Sequence, residues 1–212
     1  AIIFSGGTLL DEKYMKRMGK LVEDLKDRGT VLVGSRPFDM KTIEINNYQA
    51  VKTSTEYLLS KGHTDILYVE GPKGISSSEQ RFQGYKDALN EHNLEVNKDF
   101  IVPGDFTFEG GVKATSEILE KSDEITAVAA ANDATALGVM WGLKNGGVAI
   151  PEDISIVGMD DVPEAKYANP PLTTIATPIY ELGVQIGNYI IDILENDKNN
   201  GEEIETEIKL VE

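Results

Sequence analysis

Short apolar runs alternate with amphipathic stretches along nearly the whole chain. Residues 1–4 are apolar and too few for a helix, so they predict a buried strand. Leu10, Tyr14, Met18, Leu21, Val22 and Leu25 then recur at three- and four-residue steps, which is one face of a helix. Gly29 closes it, because glycine accepts the left-handed backbone with which helices end. Residues 31–33 and 42–46 predict the next strands, and a helix follows to about Ser60, closed by Lys61-Gly62. The rhythm continues with a strand at 66–69, a helix lined by Phe82, Tyr85 and Leu89, and a short strand at 100–102. A helix through Val112, Ser116 and Leu119 leads to a strand of small residues at 127–131. Ala136, Leu137, Met140, Trp141 and Leu143 form a helix stripe ended by Gly146-Gly147.

A strand at 154–157 follows, and Leu182, Ile186, Tyr189, Ile190 and Ile193 mark a last helix. The polar tract 195–203 predicts an exposed loop. Residues 204–211 alternate apolar with polar, as in a strand with one wet face. Repeated β-α units of this kind imply parallel sheets covered by helices on both faces, an α/β fold.

Composition narrows the chemistry. With 212 residues the chain suffices for one large domain or two small lobes. It carries 36 acidic against 20 basic residues, a net charge of −16, which repels phosphate backbones; this stretch by itself is not expected to grip DNA. The absence of cysteine excludes disulfides and any cysteine-based nucleophile or metal site. Only two histidines occur, His63 and His92, so a zinc site would have to lean on carboxylates and no metal is expected. No Gly-rich dinucleotide fingerprint or P-loop appears, and no cofactor is expected. No apolar run is long enough to cross a bilayer. The start has neither a basic leader nor a signal-peptide pattern, and a cytoplasmic location is expected.

In open α/β sheets, ligands lie beyond the carboxyl ends of the strands. The residues in those places are Asn46-Asn47-Tyr48-Gln49, Gly71-Pro72 with the polar loop 76–81, Gly104–Phe108, Asn132-Asp133 and Asp160-Asp161. This set holds amides, carboxylates, an arginine and aromatics, with no nucleophile beside a histidine base. It suits a polyol: hydroxyls donate to Asp, accept from Arg and do both with Asn, while an aromatic covers the C–H face of a sugar ring. Each residue also has a plainer use. Asn132 or Asp133 opens a helix and is a candidate N-cap. Asp160-Asp161 fits a turn before Pro163, and Arg81 fits a surface pair with Glu79 or Asp87. Phe106 and Phe108 fit a core, Tyr85 and Trp141 fall on apolar stripes and are assigned to packing, and His63 reads as structural.

These segments also match a family pattern. Lys61–Ile66 resembles a "GH-x-x-I" entry, Arg81–Tyr85 an "R-x-x-G-[YF]" segment, and Gly104–Gly111 a "G-D-[FW]-x-x-x-x-G" segment. Asn132–Gly138 matches "ND-x-x-ALG" and Ile150–Gly158 matches "[VI]PEDxSxVG". Asp160-Asp161 and Pro170–Ile175 complete the series as "DD" and "PPLTT[IV]". Seven motifs in order resemble the LacI/GalR family of bacterial transcriptional regulators. The resemblance implies two Rossmann-like lobes joined by three crossovers, near residues 62–64, 172–174 and 197–201. The first lobe would hold 1–62 and 174–198, the second 63–173 and 199–212. It implies that Arg81, Asn132 and Asp160 hydrogen-bond the hydroxyls of a small polar effector, a sugar by preference, with Phe106 against the ring and Asn47 and Gln49 approaching from the first lobe. Asp133 is left as the cap. The resemblance further implies a homodimer, an allosteric repressor rather than an enzyme, and operator DNA held by an N-terminal headpiece that this chain lacks, so that the chain reads as a fragment whose first lobe is incomplete. Two other classes share parts of this pattern: a periplasmic sugar-binding protein of a transporter, and an α/β enzyme.

Overall fold

A computed structural model describes residues 2–4, 12–25, 30–33, 42–43, 45–196 and 208–212. In chain order its elements are β1 (Ile2–Phe4), α1 (Glu12–Leu25), β2 (Thr30–Val33), β3 (Thr42–Ile43), α2 (Asn47–Ser60), β4 (Ile66–Val69) and α3 (Ser76–Glu91). There follow β5 (Ile101–Val102), α4 (Phe108–Glu120), β6 (Ala127–Ala130), α5 (Asp133–Asn145), β7 (Ser155–Val157), α6 (Pro163–Tyr167), β8 (Thr174–Ala176), α7 (Ile179–Asn196) and β9 (Lys209–Val211).

The chain divides into two compact units. The first comprises Ala1–Asn46, Gly74–Ser77 and Pro178–Glu207. In it β1, β2 and β3 lie parallel in that order, and Leu182 and Ile186 of α7 bury against Ile45. The second comprises Asn47–Lys73, Ser78–Thr177 and Ile208–Glu212. Its sheet has the parallel order β5-β4-β6-β7, and β8 pairs antiparallel with β9. The order reverses between β4 and β6: β5 lies on one side and β7 on the other. The strand tips there open the crevice in which α/β proteins receive ligands.

The core of the second unit follows from residue size. Every residue of β4 and β6 is buried, and β6 is Ala-Val-Ala-Ala, small enough for helices to close over it. Leu67, Val69, Ile118, Val128, Val139, Leu143 and Ile154 pack into one cluster around it. Helices α4 and α5 cross with almost no space between their backbones. A Cβ on Gly138 would overlap the carbonyl oxygen of Phe108, and one on Gly111 would overlap that of Thr135.

The periodicity places β4 residue for residue and α2, α5 and β6 to within a residue or two at their ends. The two glycines that close α2 and α5, Gly62 and Gly147, take φ values of +95° and +84°, where a side chain would be strained. Several expectations differ from the structure: the strand expected at 42–46 is Thr42–Ile43, with residues 45–46 outside it, and the strand expected at 154–157 begins at Ser155. The strand expected at 100–102 begins one residue later, because Asn97 accepts a bond from Asp99 N at 3.0 Å and winds residues 98–100 into a short 3-10 turn. The helix α6 and the strand β8 were not anticipated; each has five residues or fewer, below the length at which periodicity speaks. Trp141, assigned to packing, is 55% exposed, and Phe108 lies beside it with ring centroids 6.4 Å apart. Of the loop and strand expected at 195–211, residues 197–207 lie outside the described residues, while 209–211 form β9. No helix among the described residues is long and apolar enough to cross a membrane.

The helix crossing yields a prediction opposite in sign to helix propensity. An exposed Gly→Ala change inside a helix stabilises by about 1 kcal/mol. Gly138→Ala instead drives a methyl into backbone, and overpacking of that kind costs about 1–3 kcal/mol. Urea denaturation is expected to show the variant destabilised; an unchanged or raised midpoint would show that the crossing has room.

Candidate functional site

Arg81 stands in α3, and its guanidinium reaches the tips of the second unit's sheet. Nε donates to Asn47 Oδ1 at 2.8 Å, and Nη1 donates to the carbonyl oxygen of Ala131 at 2.6 Å, directly after β6. Nη2 lies 3.7 Å from Asp160 Oδ1. The Phe106 ring lies with its centroid 5.0 Å from the guanidinium carbon, within cation–π range. The surface pair with Glu79 or Asp87 is not formed; Asp87 accepts from Tyr48 Oη and Gln83 Nε2 instead.

Local backbone sets each partner. Asp160 follows β7 with φ +126°, a rarely occupied region for a residue with a side chain. Two bonds hold it there: its N–H donates to Ile175 O at 2.9 Å, and Thr177 Oγ1 donates to its carbonyl at 3.3 Å. Phe106 has φ +66°, and its carbonyl accepts from Asn132 Nδ2 at 3.0 Å. Asp105 Oδ1 accepts from both the N–H and the hydroxyl of Thr107, forming the turn that presents the ring. Gly71 makes room for it: a Cβ there would overlap the Phe106 ring and crowd Ser78 Oγ.

Asn132 and Asp133 divide their work differently from the expectation. Asn132 is the N-cap of α5, its Oδ1 accepting from Thr135 N at 3.1 Å. Asp133 is fully buried and is no cap; it accepts from Thr174 Oγ1 at 2.6 Å and from Val162 N at 3.0 Å. Gly158 lies so close that a Cβ would overlap its carboxylate. Asp133 thereby ties α5 to β8 and to the start of α6, a role that neither spacing nor motif announced. Gln49 donates to Thr53 Oγ1 at 3.2 Å within its own helix, and His63 Nδ1 meets Thr126 Oγ1 at 2.9 Å. The structure brings Arg81, Asn47, Phe106, Asn132 and Asp160 together; Gln49 stands one helical half-turn beyond Asn47.

Burial governs the charges. It raises the Asp160 carboxyl to about 6, with the Arg81 cation opposing and the Asp133 anion adding to the rise. Burial raises Asp133 as well, against the hydroxyl and amide bonds it accepts. Burial lowers Arg81 from its ordinary value, with Asp160 opposing. Among the described residues, no three His, Asp or Glu side chains are placed to hold a metal ion.

The strand tips of a parallel α/β sheet thus gather a cation, a carboxylate, an amide and an aromatic face. Residues 55–212 match the family described as "Periplasmic binding protein-like domain", and the chain belongs to that family in the form found in LacI-type transcriptional regulators, where it is the effector-binding domain. The HTH-type transcriptional repressor CytR of Escherichia coli (strain K12) is 36% identical over 157 residues, which are 74% of this chain and 46% of that protein. The chain thus spans about half the length of that repressor. The crystal structure of the Escherichia coli transcriptional repressor AscG superposes with a TM-score of 0.86 at 25% identity, over 100% of this chain and 75% of that one. A LacI family transcriptional regulator from Enterococcus faecium with bound ribose gives a TM-score of 0.80 at 28% identity, over 96% of this chain and 74% of that one. These relatives are transcriptional regulators, not enzymes.

The raised carboxyl predicts a pH signature. A free aspartate titrates near 3.9, so between about pH 4 and 6 the folded chain holds a proton on Asp160 that the unfolded chain has lost. Stability falls as pH rises through that window; the contribution is complete below it and gone above it. Replacing Asp160 by Asn is expected to flatten this slope, read as the difference between the two proteins' urea midpoints from pH 4 to 7. Parallel curves for the two would remove Asp160 as the buried acid.

Proposed function

We propose that this chain is the effector-sensing core of a LacI-type regulator and that its effector is a small polyol, a sugar first of all. The observation that carries the proposal is the fixed guanidinium of Arg81. Two of its nitrogens are bound to Asn47 and Ala131, while Nη2 faces Asp160 over the Phe106 ring. A guanidinium has five N–H donors, so donors remain for ligand hydroxyls, and the carboxylate accepts from the same hydroxyls. Phe106 covers the ring's C–H face, and Asn132 adds an amide. Gln49, at the start of α2, adds a further amide, and Asn47 beside it contributes through its bond to Arg81 Nε. The ribose bound by the Enterococcus faecium relative supports this ligand class.

In this reading the chain forms two Rossmann-like lobes, residues 1–62 with 174–198 and residues 63–173 with 199–212, joined by three crossovers, and the effector shifts their open–closed balance. The intact regulator works in the cytoplasm and holds operator DNA through a headpiece preceding this chain, with effector and operator affinities coupled reciprocally. The match to a repressor favours this over a transporter's binding protein. It acts as a homodimer. The second unit offers a face for that: Phe108, Trp141 and Tyr167 are 40%, 55% and 80% exposed around a groove of about 750 Å³. Lys144 and Glu164 line the same groove, so a two-fold partner would bring opposite charges together.

Two measurements test this. In a thermal-shift panel of sugars, sugar phosphates and purines followed by calorimetry, a sugar is expected to bind. Arg81→Ala and Asp160→Ala should each weaken it by about tenfold or more, since each removes a charged hydrogen-bond partner of the ligand hydroxyls. Normal binding by both variants removes the site assignment. In sedimentation, Trp141→Glu is expected to turn a dimer into a monomer; an unchanged dimer places the interface elsewhere.

A further inference from the structure

We propose that Asn47 is a positioning residue: its side-chain amide sets the plane and depth of the Arg81 guanidinium and ties that setting to the place where the chain passes from the first unit into the second. The ligand arm of the test below rests on the function proposed above; the spectroscopic arm does not.

The geometry fixes the direction of the amide. Nε of arginine only donates, so the group 2.8 Å from it must be the amide oxygen. The amide nitrogen then faces Gln80 Oε1 at 3.3 Å and donates to it. Both ends of the Asn47 side chain are therefore engaged by α3, and the residue is buried to 8% exposure. A guanidinium is rigid and planar, so two bonds from different nitrogens determine its plane. The bond to Ala131 O leaves it free to turn about Nη1; the bond to Asn47 stops that turn and holds Nη2 toward Asp160. A polar group that locks a binding side chain in this way pre-pays the ordering that a ligand would otherwise have to impose.

The placement along the chain adds the second half. Asn47 is the first residue of the second unit, the first unit ending at Asn46. Thr177, which donates to the Asp160 carbonyl, is the last residue of the second unit before the chain re-enters the first at Pro178. Each member of the Arg81–Asp160 pair is thus one hydrogen bond from a residue at which the chain changes units.

The test follows the Nε–Hε signal of Arg81 by NMR in the whole chain. Only four arginines occur, and Arg81→Lys identifies the signal by its loss. Wild type is expected to show a slowly exchanging Hε. In Asn47→Ala its exchange should quicken at least about tenfold, the order expected when a bond to a charged group is lost. Asn47→Asp keeps an oxygen in the accepting position and should preserve the protection, which also decides the matter if the alanine variant does not fold. Equal Hε exchange in wild type and Asn47→Ala, or loss of protection in a folded Asn47→Asp, overturns the proposal. Titration with D-ribose should show affinity about tenfold weaker in Asn47→Ala and within about threefold of wild type in Asn47→Asp. Equal weakening in both variants also overturns it. If wild type does not take ribose, that failure belongs to the ligand reading, and the exchange data decide the role of Asn47.

Discussion

A guanidinium withdrawn from water must be compensated on several sides at once, and the site of this chain is organised around that requirement. The Arg81 side chain is 11% exposed and cannot shed its charge. Its compensation comes from four directions: an amide, a main-chain carbonyl, a carboxylate and an aromatic face. Partners left without it would themselves be stranded, because a buried unpaired charge costs far more than the pair contributes. The carboxylate at 3.7 Å is a loose partner, and burial still raises its pKa despite the cation. The pair is therefore poised: charged, close, and incompletely satisfied. A hydroxyl that donates to one and accepts from the other improves both.

The fold holds these partners by backbone devices more than by side-chain packing. Ala131 and Asp160 follow the adjacent strands β6 and β7, and their placement comes from the parallel register of the sheet. Unusual φ values at Phe106 and Asp160 turn side chains that ordinary strand geometry would send elsewhere. Gly71 and Gly158 leave space beside Phe106 and Asp133, and no side chain would fit at either position without displacing a group of the site or its support. Beneath, Asp133 bonds the start of α6 and β8 and so fixes the segment that carries Asp160. The candidate site and its scaffold are in this sense one hydrogen-bonded assembly.

Much of this was legible in the sequence. Strands such as Ile66–Val69 announce themselves because burial on both faces demands an unbroken apolar run. Phe106, Asn132 and Asp160 all lie just past strands, where strand ends fix the places at which side chains can converge. Pairing was not legible. Asn132 and Asp133 are adjacent polar residues at a helix start, and only the bonds to Thr135 and Thr174 tell the cap from the buried strut. Asn47 could be placed near the site but not against Nε of Arg81, 34 residues away in sequence. Trp141 lies on an apolar stripe, yet the side it faces is decided by how α4 and α5 cross, which periodicity does not encode.

If the Arg81–Asp160 pair receives ligand hydroxyls as proposed, a crystal structure of the chain grown with D-ribose will show it. A hydroxyl oxygen is expected within hydrogen-bond distance of both Arg81 Nη2 and an Asp160 carboxylate oxygen, with the sugar ring against Phe106. A sugar seated on other side chains, with that pair untouched, would contradict it.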